Sequence, residues 1–339
     1  MESSERKYGR LNISKMLLKK YGLRTTLQPL EITVRRNRKV YKVQTKDRNY
    51  ALKEYNRSID INYHVSLLDR LDKNGFHQSP KVITTLDGSS SVESDGTTYV
   101  LSEWIDGIEP SFSNIIHLKA ASALLASFHR AARFPNQEVI KAAPNSFLDT
   151  PTFREIKVGQ NKMSTISEKL NEWVKQFGSD PLRIALERME YAEFNFPIDS
   201  YIELFTSEKK ENSFNHGDYN STNLILTPKN KLYVIDFDGS SFSVRINDLL
   251  FLCHLHMGDN AKMLLDILKS YHQVRPLSLK EFDIVKSILF VPGNIYWIMH
   301  INTYLHNPID SDWITQHLSR YSGKDYFEKI KKLSYSDLS

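Results

Sequence analysis

The chain has 339 residues, 40% of them hydrophobic and 25% charged, with 45 Lys and Arg against 40 Asp and Glu for a net charge of +5. This is the balance of a globular protein long enough for two domains or one large two-part unit, and its mild positive charge favours anionic ligands without the basic concentration of a nucleic-acid binder. A single cysteine, Cys253, excludes an intrachain disulfide framework and a Cys-based zinc site. The start, Met1-Glu2-Ser3-Ser4-Glu5, has no apolar leader and no apolar run nears the about 20 residues of a membrane span, so a cytoplasmic protein is expected.

Along the chain, Leu11, Ile13, Met16, Leu17 and Tyr21 are spaced for one helical face over 8–23, with Gly22 as a stop. Residues 29–55 read as strands, from Leu30, Ile32 and Val34 through Val40, Tyr41 and Val43 to Tyr50-Ala51-Leu52-Lys53. The basic stretch Arg35-Arg36-Asn37-Arg38-Lys39 reads as a solvated turn. No glycine occurs between Gly22 and Gly75. The spacing of Ile61, Val65, Leu68 and Leu71 predicts a helix over 58–73 that ends at Asn74-Gly75. That helix carries no glutamate, and Asp60 and His64 are polar residues near its start. Strands are expected at 81–86 and 98–104, joined by a polar turn from Asp87 to Gly96.

Leu118, Ala121, Leu124, Leu125, Phe128 and Ala132 make 117–133 an amphipathic helix, in which His129 reads as a packing residue. A loop is expected over 135–160, then helices near 164–177, 181–195 and 197–210. Beyond residue 239, Asn247 or Asp248 starts a helix through His256. Arg245 either pairs with Asp248 or faces solvent. His254 and His256 fall on different helical faces and make no zinc pair. Further helices are expected at 260–272, 279–290 and 294–305, with Tyr296 and Trp297 as packing residues.

The most informative stretch is 213–239. It contains His216-Gly217-Asp218-Tyr219-Asn220-Ser221-Thr222-Asn223 and then Leu232-Tyr233-Val234-Ile235-Asp236-Phe237-Asp238. Leu224-Ile225-Leu226 and Leu232–Ile235 flank a polar Thr-Pro-Lys-Asn-Lys break, which is a hairpin signal. Folding back would bring Asn223 at the entry towards Asp236 at the exit. Carboxylates gathered in this way repel unless a cation neutralises them, and an amide oxygen with a carboxylate suits magnesium carrying phosphates. Asp218 is then free to accept a proton from an attacking hydroxyl. A loop Asp, an Asn further on and an Asp before Phe is the order found in kinase loops.

These two linked motifs resemble the aminoglycoside phosphotransferase and choline kinase family, which has a protein-kinase-like fold. Trp104-Ile105-Asp106-Gly107, Ala126-Ser127-Phe128-His129-Arg130-Ala131-Ala132 and Asn74-Gly75-Phe76 resemble a narrower group within it, the CotS-type spore coat proteins of endospore-forming bacteria. The resemblance runs from about Tyr21 to the last helices. It implies a two-lobed α+β fold, with a strand-rich nucleotide-binding N-lobe over 1–104 and a helical C-lobe over 105–339. It implies ATP and Mg2+ as cofactors, Asp218 as catalytic base, and Asn223 and Asp236 as metal ligands. Lys53 matches the phosphate-pairing lysine, the alternative being a solvated strand-edge residue. Glu103 and Ile105 would offer backbone groups to the adenine, and Asp248 would brace the catalytic loop.

Two functions follow. One is an ATP- and magnesium-dependent phosphotransferase acting on a hydroxyl of a small molecule or protein, associated with the spore coat. The other is a kinase-like scaffold built among other spore coat proteins, suggested by the missing glycines and helix glutamate. Nucleic-acid binding through the basic 35–48 run has no reader motif behind it, and no membrane partner is expected.

Overall fold

Alternating buried and exposed positions on short strands build an antiparallel sheet whose two faces are covered by different helices. The computed structural model describes residues 15–23, 30–35, 38–55, 61–94, 96–134, 167–256, 260–291, 312, 316 and 324–339. Chain contacts divide it into two compact units. One comprises Met1–Glu109, Gln137–Ala143 and Ile225–Asp238, and the other Pro110–Asn136, Pro144–Leu224 and Gly239–Ser339.

The first unit opens with α1 (Lys15–Lys20) and holds β1 (Leu30–Arg35), β2 (Arg38–Gln44), β3 (Asn49–Tyr55), α2 (Ile61–Lys73), β4 (Val92–Ser94) and β5 (Thr97–Glu103). The sheet order is β1-β2-β3-β5-β4, antiparallel throughout. Arg35 pairs with Arg38, so β1 and β2 are joined by two residues, neither of them glycine. Tyr50 and Leu52 of β3 point to one face and pack with Leu17, Leu18 and Tyr21 from α1 and with Tyr41, Val43, Tyr99 and Leu101. On the other face Tyr55 and Val100 pack against Ile61, with Val65 at the margin. Lys53 pairs in register with Val40 and Val100 and emerges on this second face, the one α2 covers. The helix closes with the Phe76 N–H on the Leu71 carbonyl at 2.9 Å and the Gly75 N–H on the Asp72 carbonyl at 3.0 Å, a Schellman ending.

Two local expectations are corrected. Residues 81–86 form no regular strand; Val82 makes a single bridge to Ser102. The segment turns away because the Leu86 N–H bonds the Lys20 carbonyl and the Thr85 hydroxyl bonds Asp87 and the Ser89 carbonyl. The polar stretch 87–96 is not all turn, since Val92–Ser94 pairs with Thr97–Tyr99 and Val92 is buried against the α1 face.

The second unit carries α3 (Ile115–Ala131), helical residues 167–177 (α4), α5 (Asp180–Phe194), α6 (Ile198–Lys210), β6 (Phe214–Asn215), β9 (Ser241–Phe242), α7 (Ile246–His256), α8 (Ala261–Val274), α9 (Leu279–Ile288) and α10 (Lys324–Lys332). The hairpin of β7 (Leu224–Leu226) and β8 (Leu232–Val234) appears where the sequence predicts it. The Asn114 side chain caps α3, and a capping box of Ser278 and Glu281 starts α9. α3 lies against α8, where the Ser122 hydroxyl bonds the Ile267 carbonyl at 2.7 Å. The expected 135–160 loop, the 294–305 helix with Tyr296 and Trp297, and the side chains of His254 and His256 lie outside the described residues. Among the described residues no helix is long and apolar enough to cross a membrane.

Candidate functional site

The loop after β6 shows how an exposed carboxylate is held on a rigid base. His216 and Tyr219 are both fully buried, while Gly217 and Asp218 between them are exposed. The Tyr219 hydroxyl donates to the Ala121 carbonyl of α3 at 2.8 Å. The Asp248 carboxylate at the start of α7 accepts the N–H groups of His216 at 2.6 Å and of Gly217 at 3.0 Å. Asp248 thus braces the loop as the resemblance implies. His129 of α3 sits behind it, with Nε2 3.1 Å from Asp248 Oδ2 and Nδ1 2.6 Å from the Tyr271 hydroxyl. Burial holds the His129 imidazole below its ordinary pKa, against the opposing effect of its hydrogen bond to Asp248.

Gly217 has φ +78, and a Cβ there would lie 2.9 Å from the Gly239 carbonyl carbon and nearer still to its oxygen. Only glycine fits, because it lacks the atom that would collide.

Asp218 is fixed from both oxygens. The Asn220 amide donates to Oδ1 at 2.7 Å and the Asn223 amide to Oδ2 at 2.9 Å. Asn223 also donates to the Asp218 carbonyl at 2.8 Å, so its nitrogen faces the loop and its amide oxygen is left for another partner. Asp218 and Asn223, two of the residues expected in one site, are brought together within the second unit.

Arg245 corrects an expectation. It neither pairs with Asp248 nor faces solvent; it is buried, with Nε 2.7 Å and Nη2 2.6 Å from the two Glu208 oxygens. Its Nη1 donates to the His129 carbonyl at 2.6 Å, which ties α6 to the same brace. Desolvation alone would raise the Glu208 carboxyl, but Arg245 and Arg275 outweigh it and hold the group below its ordinary value.

In the first unit Lys53, Asp236 and Asp238 meet. Lys53 Nζ lies 2.5 Å from Asp236 Oδ1 and 2.8 Å from Asp238 Oδ2. Lys53 is therefore paired without a helix glutamate. Its partners arrive from 183 and 185 residues away, carried by the β7–β8 hairpin. Glu54 faces the opposite way and accepts the Tyr41 hydroxyl at 3.3 Å. Asp236, which follows β8, has φ +60, a conformation that Asp and Asn adopt more readily than other residues with a Cβ.

The segment after β5 is pinned to this hairpin, since Ile108 and Leu226 exchange both backbone hydrogen bonds, at 3.0 and 2.8 Å. The Glu103 N–H is committed to the Lys81 carbonyl at 2.9 Å and the Trp104 N–H to Asn49 at 3.4 Å. Among the described residues the Ile105 N–H has no such partner. The Trp104 indole donates to Asp106 at 2.8 Å, and Lys42 lies 3.5 Å from the same carboxylate and 4.6 Å from the indole ring.

Of the residues expected to hold magnesium, Asp236 in the first unit offers a carboxylate, 40% exposed, and Asn223 in the second offers the amide oxygen that its contacts with Asp218 leave unused. Among the described residues no three or more His, Cys, Asp or Glu form a metal cluster. Magnesium held with substrate phosphates takes oxygen ligands, one or two of them carboxylates, and keeps waters, so the chemistry of each of these groups suits it.

A sequence profile described as the phosphotransferase enzyme family matches residues 31–282. No curated protein matches the sequence. Among solved structures, an aminoglycoside phosphotransferase from Alicyclobacillus acidocaldarius is 20% identical with TM-score 0.69, over 96% of this chain and 95% of that one. A spectinomycin phosphotransferase in complex with ADP and spectinomycin is 12% identical with TM-score 0.53, over 95% and 97%. A microcompartment-associated aminopropanol kinase is 15% identical with TM-score 0.52, over 93% and 97%. At these identities the likeness establishes the α+β, protein-kinase-like fold.

Proposed function

The chain belongs to the phosphotransferase enzyme family, and from that premise we propose that it transfers the terminal phosphoryl group of ATP to a hydroxyl on a small molecule or protein. The observation that carries this reading is the clamped Asp218: an exposed carboxylate fixed by two amides on a buried, braced loop. A carboxylate so held suits the alignment and deprotonation of an acceptor hydroxyl, which contributes typically about 10²–10⁴-fold to rate. Asn223 and Asp236 would hold magnesium, which when bound neutralises charge on the phosphate oxygens. Lys53 would steady the phosphates, and the Ile105 N–H would meet the adenine. Most of the rate would come from positioning and preset electrostatics. Solved relatives named for spectinomycin and aminopropanol make a small amino-alcohol a first acceptor to try.

The test is a thermal shift with ATP and magnesium, followed by transfer from labelled ATP to a panel of amino-alcohols and aminoglycosides. Ligand at a hundred times its Kd stabilises the folded state by about 2.7 kcal/mol, a readily measured shift. No shift at millimolar ATP would sink the proposal.

The second reading is a kinase-like scaffold of the spore coat. Its support is the two-residue β1–β2 connection without glycine, since glycine loops let backbone amides approach phosphates, together with the CotS-type wording of the sequence. It predicts incorporation into the coat with no ATP-dependent shift.

A further inference from the structure

Lys53 leaves β3 on the face covered by α2, where kinases place a helix glutamate beside the corresponding lysine. Here α2 offers no acid at that point. Its Asp69 is taken by Lys73 at 2.6 Å and its Asp72 by His77 at 2.6 Å. The residue α2 turns towards the site is His64, buried, with Nε2 3.8 Å from Asp238 Oδ1.

The two aspartates that contact Lys53 differ in one decisive respect. The Asp236 side chain is 40% exposed, whereas that of Asp238 is 2% exposed. Asp238 Oδ2 takes the Lys53 ammonium, and Oδ1 takes the Tyr55 hydroxyl at 3.2 Å. The Tyr55 ring in turn lies 5.2 Å from the Lys53 ammonium. A carboxylate buried this deeply requires a paired cation, and removing that cation is strongly unfavourable. The Asp236 side chain, by contrast, is reached by solvent, which screens its contact with Lys53.

We infer that Asp238 is a positioning residue that holds Lys53 in place of the absent helix glutamate, while the more exposed Asp236 is the proposed metal ligand. The purpose of this pair rests on the phosphotransferase reading; the pair itself does not. The arrangement moves the lysine's anchor from a helix to the segment after β8, so the same short stretch supplies both the lysine's counter-ion and the proposed metal ligand.

The experiment measures ATP affinity by magnesium-dependent thermal shift, with KM for ATP where turnover is seen. The variants are Lys53→Met, Asp238→Asn, their combination, and Asp238→Asn with His64→Glu, each checked for folding by circular dichroism. Asp238→Asn is expected to weaken ATP about tenfold, the loss of one charge-assisted contact. Lys53→Met should do the same, and the combination should be no worse than either alone. His64→Glu should recover at least half of the loss on a logarithmic scale, by restoring an acid on the helix; a merely structural role for Asp238 would not respond to it. Wild-type affinity in Asp238→Asn, losses that multiply in the combination, or no recovery with His64→Glu would overturn the inference. If the wild type shows no ATP shift, the phosphotransferase reading fails instead. A nucleotide-free urea denaturation cycle on Lys53→Met and Asp238→Asn then decides the pair, with coupled losses supporting it and additive losses overturning it.

Discussion

The Asp248 carboxylate receives the backbone N–H of His216 at 2.6 Å across 32 residues of chain. With the Gly217 N–H on its other oxygen, this one side chain replaces the hydrogen bonds that a loop leaving β6 would otherwise lack. Asp248→Ala strands two backbone donors, of which that of His216 is buried. It should destabilise the protein by about 2–4 kcal/mol in urea denaturation, and phosphoryl transfer should fall with it. Unchanged stability would show that the loop does not depend on this brace.

Asp218 lies on the exposed crest of the same loop, so its chemistry separates from folding. Asp218→Asn keeps the shape while removing the proposed base, and should lower turnover about 10²–10⁴-fold. The change in stability should stay within about 1 kcal/mol, as for other exposed substitutions. Labelled-ATP transfer and a urea melt on the same preparation check both halves.

His129 makes stability depend on pH. Burial holds its folded-state pKa below the ordinary 6.5, whereas in the unfolded chain it titrates near that value. Between the two values the unfolded chain binds a proton that the folded chain does not. Stability is therefore full above about pH 6.5 and declines as pH falls towards the folded value, at up to about 1.4 kcal/mol per unit for one group. His129→Gln should flatten this part of the profile between pH 5 and 7, measured by denaturation at each pH.

The Glu208–Arg245 pair links α6 to the segment before α7 and to the His129 carbonyl. Glu208→Gln leaves a buried guanidinium with one formal partner fewer, and should cost about 3–5 kcal/mol. Replacing both residues with apolar ones of similar volume should restore part of that loss. A double-variant cycle by thermal or urea unfolding measures it.

Gly217→Ala combines a left-handed backbone with a collision against Gly239. It should cost about 1–3 kcal/mol and displace Asp218, so turnover should fall further than stability alone explains. A variant with wild-type turnover would show that the loop can be rebuilt around a side chain.

The sequence by itself determined what is local. Asp218 and Asn223 are five residues apart, and the turn at Ser221–Asn223 between them brings them into contact. The β7–β8 hairpin follows from two apolar runs around a polar turn closed by Asn230 at φ +56, and the helix over 61–73 from its apolar spacing and Gly75. Only the tertiary structure decided which distant groups meet. A missing glutamate on α2 says nothing of Asp238, because a carboxylate's identity does not reveal which lysine it will face 185 positions earlier in the chain. In the same way His129 reads as packing on its helix and becomes a titrating support only when Asp248 and Tyr271 close around it. Val92–Ser94 reads as polar turn until β5 supplies its hydrogen bonds. Pattern and turn chemistry act over a few residues and are written in order along the chain. Charge pairing and burial are properties of the packed interior, and exist only once the chain has folded.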